Sequence, residues 1–154
     1  MAGDGDAIAA ILLPTIRAGA TYALDPAMTA VDALAYWLGA DRQSFVAVAG
    51  GAVVGTYYLR ANQPGGGSHV CNCGFMTAAA ASGRGIARAM AAHAFATART
   101  AGFLAMQFNC VVATNDRAVR LWHALGFTTV GRLPGAFRHP SHGFVDALVT
   151  HRPL

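Results

Sequence analysis

The sequence predicts an α/β (α+β) fold in which a mixed central sheet is flanked by about four helices. Two helix-like segments precede the first strand-like segment, and Gly50-Gly51 separates two strand-like runs, as in a β-hairpin. A strand, a glycine turn, a helix and another strand then follow one another over residues 69–112, which predicts a parallel pair of strands. Since 154 residues suit one ordinary domain, we expect a single domain over residues 1–154.

The first half of the chain contains two helix signals and three strand signals. Asp6 is a suitable N-cap for a helix over residues 7–18, and the Asp25-Pro26 turn with Thr29 precedes a second helix over residues 30–38. A loop over residues 62–68 is rich in proline and glycine. Strands are predicted at Phe45–Ala49, Val53–Leu59 and His69–Thr77.

Helices and strands alternate in the second half of the chain. A helix over residues 85–100 ends before Gly102, and Asn115 is a suitable N-cap for a helix that ends at Gly126. Residues 134–143 are predicted as a loop without regular structure. The remaining strands are predicted over residues 103–112, 127–131 and 144–150.

Composition and charge argue against several classes of protein. Hydrophobic residues make up 55% of the chain, but no apolar run approaches the roughly 20 residues of a membrane-spanning helix. The acidic start, Met1–Asp6, is unlike a secretory signal, so we expect a cytoplasmic protein. The three cysteines contain no Cys-x-x-Cys pair, which argues against a zinc site, and we expect no metal. A net charge of +4 suits an anionic ligand, but the scattered arginines do not indicate a nucleic-acid partner.

The segment Ala81–Arg88 lies between a predicted strand and a predicted helix and contains Gly83-Arg84-Gly85. Glycines let a backbone approach a ligand closely, and the first N–H groups of a helix attract anions, so this turn can bind a phosphate. An ordinary tight turn has the same pattern. A Walker loop is excluded because the chain has no lysine, and Arg88 stands where a dinucleotide fingerprint has glycine.

Two motifs, Ser82–Ala87 and Asn115–Phe127, follow one another in the order and at the spacing of the GCN5-related N-acetyltransferase (GNAT) superfamily, which the chain resembles. The resemblance implies the GNAT fold with its first strand missing, and acetyl-CoA as cosubstrate. Further segments are similar to acetyltransferases of proline analogues such as azetidine-2-carboxylate. Those segments are Met106–Asn109, Val112–Asn115 and Leu133–Arg138.

The resemblance also implies which residues bind coenzyme A. The strand over residues 69–77 should separate from its parallel neighbour, so that its backbone can pair with the pantetheine amides like an added strand. Ser82 departs from the Arg or Gln of the family pattern. Trp122 departs from a frequent Tyr that protonates the thiolate, and is either core packing or a wall for pantetheine. The implied residues are Phe75, Met76, Thr77, Ser82, Gly83, Arg84, Gly85, Ile86, Ala87, Arg88, Asn115, Ala118 and Trp122.

Candidates for catalysis and acceptor binding are less constrained. By resemblance, Asn109 contacts the substrate nitrogen; the alternative is an Asn that satisfies backbone groups at a strand end. His69 is the candidate general base, because imidazole is the side chain most often used for proton transfer; it can instead be structural, and an ordered water chain can replace it as the base. The candidates for the acceptor end, beside Asn109, are Tyr22, Tyr57, Tyr58, Arg138 and Asp146.

The leading functional hypothesis is direct transfer of acetyl from acetyl-CoA to a small amine, such as an amino acid or proline analogue, within a ternary complex. Alternatives are acetylation of a peptide or protein amine, and a sensor that binds acyl-CoA without turnover. The resemblance further implies a homodimer. Because the family usually begins with a strand, we expect that a longer natural form of the chain exists.

Overall fold

The computed structural model describes residues 3–154 and contains one six-stranded sheet in the order β1-β2-β3-β4-β6-β5. The chain order of helices and strands agrees with the order predicted from sequence. The helices are α1 (Gly5–Ala18), α2 (Ala30–Trp37), α3 (Ile86–Thr100) and α4 (Asp116–Ala124). The strands are β1 (Gln43–Ala49), β2 (Ala52–Ala61), β3 (Val70–Thr77), β4 (Ala105–Val112), β5 (Thr128–His139) and β6 (Gly143–Pro153).

Two local predictions were wrong. Asp6 does not cap α1 but lies inside it, since the helix begins at Gly5. Residues 134–143 do not form an irregular loop: β5 continues through His139 and pairs with β6 as far as the turn before Gly143. A register shift between Leu133 and Phe137 accommodates Pro134, which is tolerated because β5 is an edge strand.

The two strands of the parallel pair separate after a short contact. β3 pairs with β4 only at Val70 with Ala105 and Cys71 with Met106, although both strands continue for several residues beyond. β3 remains paired with β2 through Thr77, while β4 remains paired with β6. The sheet therefore opens between β3 and β4, as the family resemblance implied.

Each face of the sheet carries its own apolar core. On one face, the cluster around Met90, Phe108 and Trp122 joins the sheet to α3 and α4. On the other, the cluster around Leu12, Trp37 and Tyr58 joins it to α1 and α2. Since successive residues of a strand point to opposite faces, Tyr57 belongs to the first cluster and Tyr58 to the second. Within residues 3–154, no helix is both long and apolar enough to cross a bilayer.

Candidate active site

A cleft of about 700 Å³ lies where β3 and β4 separate. Its two ends differ in the elements that form them. One end is lined by the glycine turn, the first residues of α3 and one side of α4. The other end is lined by side chains from β2, β3, β4, α2 and the connection between α1 and α2. We call the first the glycine-turn end and the second the acceptor end.

The glycine turn presents backbone groups to the cleft. Gly83 and Gly85 have φ values of +82° and +78°, which L side chains rarely adopt, and a Cβ at either position would meet nothing within 4 Å. Backbone conformation, not crowding, therefore requires glycine here. α3 begins at Ile86 without a side-chain cap, so its first N–H groups and the positive end of its dipole are available to an anion.

An arginine that the sequence motifs did not identify lies beside the turn. The Arg117 guanidinium, from the first turn of α4, donates a hydrogen bond to Ser82 Oγ. A positive charge thus lies next to the position where Ser82 departs from the family pattern. Arg88 also lines the cleft, whereas the predicted phosphate contact Arg84 is exposed outside the lining.

The backbone edge of β3 that faces β4 is partly occupied by a tyrosine. Phe75 N–H donates to the Tyr22 hydroxyl at 2.7 Å, and that hydroxyl donates to the Phe75 carbonyl at 2.9 Å. Since alternate residues of a strand direct their backbone groups to the same edge, Cys73 and Thr77 point theirs into the same gap. The backbone groups on this edge can pair with amide groups of a ligand. The glycine turn can bind phosphate groups if the same ligand carries them. Burial raises the pKa of Tyr22 well above its usual value.

α4 forms the wall opposite β3. The Asn115 side chain accepts a hydrogen bond from Ala118 N–H at 3.2 Å, so it caps the helix as predicted while it lines the cleft. Trp122 lies 4.7 Å from Phe108 and 5.2 Å from Phe75 between ring centroids, and it lines the cleft. Core packing and a place in the cleft wall were the two alternatives for Trp122. Its position therefore combines both.

Asn109 lies at the acceptor end, at the irregular part of β4 where pairing with β6 shifts register. Its side-chain oxygen accepts from Gln107 Nε2 at 2.9 Å, and its amide nitrogen donates to Asn62 Oδ1 at 2.7 Å. Asn72 donates to the Gln107 carbonyl at 2.9 Å. These bonds hold amide groups from β3 and β4 at the same part of the cleft.

Besides Arg84, three predicted site residues lie outside the lining of the cleft, so their positions do not support the predicted roles. His69 is exposed before β3, at the end where the two strands are still paired, and its carbonyl accepts from Leu104 N–H at 2.8 Å. Tyr57 is 2% exposed on the α3 face of the sheet, with its hydroxyl 2.6 Å from His93 Nδ1. Arg138 is exposed on the edge strand β5, close to the turn that joins β5 to β6.

Sequence motifs also missed Tyr36 and Arg60, which line the acceptor end. Arg60 follows Tyr58 by two residues on β2, so once Tyr58 is placed, strand alternation puts Arg60 on the same face. Of the remaining sequence candidates, Tyr58 lines this end, whereas Asp146 is paired with Arg132 on the β5–β6 hairpin.

The ring of Tyr58 is supported by Gly74, its partner on β3. A Cβ at Gly74 would lie 2.5 Å from Tyr58 Cε1, so Gly74→Ala should displace the ring and lower the free energy of unfolding by about 1–3 kcal/mol. Urea denaturation measures this change. Gly66→Ala is the control, because a Cβ there meets nothing within 4 Å. An equal effect of the two substitutions would contradict the expectation.

Comparison with known proteins assigns this chain to a family. A family model described as Acetyltransferase (GNAT) family matches residues 14–127. N-acetyltransferase aca1 of Schizosaccharomyces pombe is 38% identical over 99 residues, which cover 64% of this chain and 47% of the yeast protein. The chain thus spans about half the length of this curated relative.

Solved structures agree with the family model. A GCN5-related N-acetyltransferase from Kribbella flavida is 44% identical, with a TM-score of 0.94 over 100% of this chain and 94% of that one. A phosphinothricin acetyltransferase from Sinorhizobium meliloti, solved in complex with acetyl-CoA, shares the fold at 21% identity, with a TM-score of 0.86 over 100% of this chain and 85% of its own. The chain belongs to the GNAT family of acetyltransferases.

Proposed function

We propose that this protein transfers the acetyl group of acetyl-CoA to the amine of a small molecule, an amino acid or proline analogue. The amine attacks the thioester directly within a ternary complex. The observation that carries the proposal is the convergence of Asn72, Asn109 and Arg60 beside the open edge of β3, next to the rings of Tyr36 and Tyr58. A few polar groups set among aromatic walls are typical of sites for small polar ligands.

Acetyl-CoA supplies a thioester carbonyl that an amine can attack. The residues that would hold its phosphates are Gly83, Gly85 and the start of α3, with Arg88 and Arg117 nearby. The β3 edge at Phe75 and Thr77 would hold the pantetheine amides, and Phe75 N–H, which donates to the Tyr22 hydroxyl in this structure, would stabilise negative charge on the thioester oxygen once that hydroxyl moves away. Asn109 would orient the amine.

The proton of the amine has no evident acceptor among the side chains of the cleft. Within residues 3–154, the lining contains no aspartate, glutamate or histidine. Burial raises the pKa of Tyr22, Tyr58 and Cys73, so these groups are neutral and poor bases near pH 7. We therefore infer that the amine loses its proton to water before it attacks.

This inference predicts the pH dependence of the reaction. Because only the neutral amine attacks, kcat/KM should rise about tenfold per pH unit until the pKa of the free acceptor amine is reached. Initial rates of thiol release between pH 6 and 10, measured for two acceptors of different amine pKa, should give profiles offset by that difference. A shared inflection near the usual histidine pKa for both acceptors would contradict it, since it would reveal a base on the protein.

A second prediction concerns Tyr22. Its hydroxyl is hydrogen-bonded to the N–H and the carbonyl of Phe75, and the thioester would need that N–H. Tyr22→Phe removes this competitor, and a hydrogen bond contributes about 0.5–1.5 kcal/mol, so acetyl-CoA should bind roughly 2- to 10-fold more tightly. Calorimetric titration measures the change. The matched control is Tyr36→Phe, which removes a hydroxyl from the cleft without touching β3. Weaker binding by Tyr22→Phe alone would show that the hydroxyl assists binding.

One experiment tests the proposed function itself. The purified protein is incubated with acetyl-CoA and, in parallel, azetidine-2-carboxylate, proline, other amino acids and short peptides with free amino termini. Thiol release and the mass of the acetylated product are then measured. Preferential acetylation of an amino acid or analogue supports the proposal. Preferential acetylation of peptides would favour a peptide N-acetyltransferase, and binding of acetyl-CoA without turnover of any amine would favour a sensor.

A further inference from the structure

Arg60 lies where an acceptor molecule would meet the protein, but the acetyl transfer described above does not use it. It is opposite Asn72 in the antiparallel pairing of β2 and β3, so the two side chains share one face of the sheet. Both residues line the acceptor end of the cleft. The Asn72 amide nitrogen is committed to the Gln107 carbonyl, which leaves its side-chain oxygen as an acceptor.

The charge around Arg60 is not balanced. Arg42 Nε donates to Asp41 Oδ1 at 2.7 Å, and Arg60 Nη1 donates to Asp41 Oδ2 at 3.1 Å. Two guanidinium groups thus share one carboxylate, and within residues 3–154 neither forms an ion pair with any other acidic group. The hydrogen bond from Arg42, followed by that from Arg60, lowers the pKa of Asp41 to about 2, so Asp41 is ionised at neutral pH. One net positive charge remains.

The donors of this pair are also incompletely satisfied. Arg60 Nε and Arg42 Nη1 are buried and have no hydrogen-bond partner. The Arg42 guanidinium is held 4.8 Å from the ring centroids of both Tyr36 and Tyr58, which keeps it beside the acceptor end. A buried donor without a partner costs free energy, and the Arg60 side chain, which is 30% exposed and lines the cleft, can recover that cost if it turns to donate to a carboxylate ligand there.

From this arrangement we propose that Arg60 recognises a free carboxylate on the acceptor, so that the enzyme selects amino acids over amines or peptides that lack a carboxylate at that distance from the reacting nitrogen. This rests on the proposed function. The guanidinium binds the carboxylate, and the side-chain oxygens of Asn72 and Asn109 face the amine. The aromatic pair Tyr36 and Tyr58 borders the space between them.

The test compares proline with prolinamide, which differ in the carboxylate, in the wild-type enzyme and in Arg60→Met. For each compound, kcat/KM of the variant is divided by that of the wild type, which cancels the different amine pKa values. A charge-assisted hydrogen bond contributes about 1.5–3 kcal/mol, so the ratio for proline should fall about 10- to 100-fold, while that for prolinamide changes less than about twofold. Arg60→Lys retains the charge without the planar fork and should recover part of the loss.

Arg132→Met is the matched control, because Arg132 is an ion-paired arginine on the β5–β6 hairpin outside the cleft. It should leave both ratios near one. An equal loss for proline and prolinamide in Arg60→Met would mean that Arg60 only maintains the fold around Asp41, and would overturn the proposal. So would a wild-type enzyme that uses the acid and the amide equally after correction for amine pKa.

A binding measurement separates this proposal from the proposed function. Proline and prolinamide are titrated calorimetrically into the wild-type enzyme and Arg60→Met, each saturated with coenzyme A. Tighter binding of the acid that is lost in Arg60→Met supports carboxylate recognition even where no amine is acetylated. Absence of any acid preference in binding overturns it, whatever the turnover.

Discussion

Substitution of Gly85 by valine is expected to weaken acetyl-CoA binding by at least about tenfold. Gly85 is the N-cap of α3 and has a φ of +78°, a conformation that costs a β-branched residue about 1–2 kcal/mol or more. The turn will relax toward negative φ, and the N–H groups at the start of α3 will then no longer converge on the phosphates that we propose they bind. Calorimetric titration with acetyl-CoA measures the loss.

The control for Gly85→Val is Gly51→Val in the β1–β2 hairpin. Gly51 has the same φ of +78°, and a Cβ at either position meets nothing within 4 Å. Both variants therefore carry the same backbone strain, but Gly51 lies outside the cleft. Gly51→Val should lower stability and leave the dissociation constant of acetyl-CoA unchanged. Equal weakening in both variants would mean that general destabilisation, not the geometry of the turn, accounts for the loss.

Replacement of Trp37 by alanine is expected to lower the free energy of unfolding by about 3–5 kcal/mol, as for other fully buried aromatic side chains. Trp37 is 0% exposed and joins α2 to the sheet. Its indole N–H donates to Thr56 Oγ1 at 2.9 Å, and its ring lies 4.9 Å from Tyr58 and 6.1 Å from Tyr22 between centroids. Both tyrosines line the cleft, so acetyl transfer should be lost as well.

Urea denaturation of Trp37→Ala measures the change in stability, and Trp37→Phe separates its two causes. Trp37→Phe retains most of the apolar contact but leaves the buried Thr56 hydroxyl without its donor. A double-mutant cycle with Thr56→Val isolates the coupling between the two side chains, expected at about 0.5–1.5 kcal/mol. A loss below about 1 kcal/mol in Trp37→Ala would contradict the central role of this residue in the second core.

Local signals predicted the parts of the molecule that depend on a few neighbouring residues. The Asn115 cap, the Gly50-Gly51 hairpin turn and the glycine turn before α3 all lie where the sequence predicted them. Caps and turns are determined by backbone conformations and hydrogen bonds within three or four residues. The acidic cap predicted at Asp6 failed because the helix begins two residues earlier, at Gly5, which no local signal marked.

The acceptor end could not be predicted in the same way. Alternation shows that Tyr57 and Tyr58 point to opposite faces of β2, but not which face borders the cleft. The structure puts Tyr58 there, together with Arg60, and puts Tyr57 against His93. Position along β3 matters equally: His69 precedes the strand at its paired end, whereas the cleft opens at the other end.

The sequence by itself determined the order of helices and strands, the position of the glycine turn before α3 and the family, because these follow from hydrophobic period, glycine positions and motif spacing along the chain. Only the tertiary structure decided the separation of β3 from β4, the hydrogen bonds between the Tyr22 hydroxyl and the Phe75 backbone, and the sharing of Asp41 between two arginines. Each of these joins groups far apart in sequence, and their proximity depends on strand register and on how helices cover the two faces of the sheet.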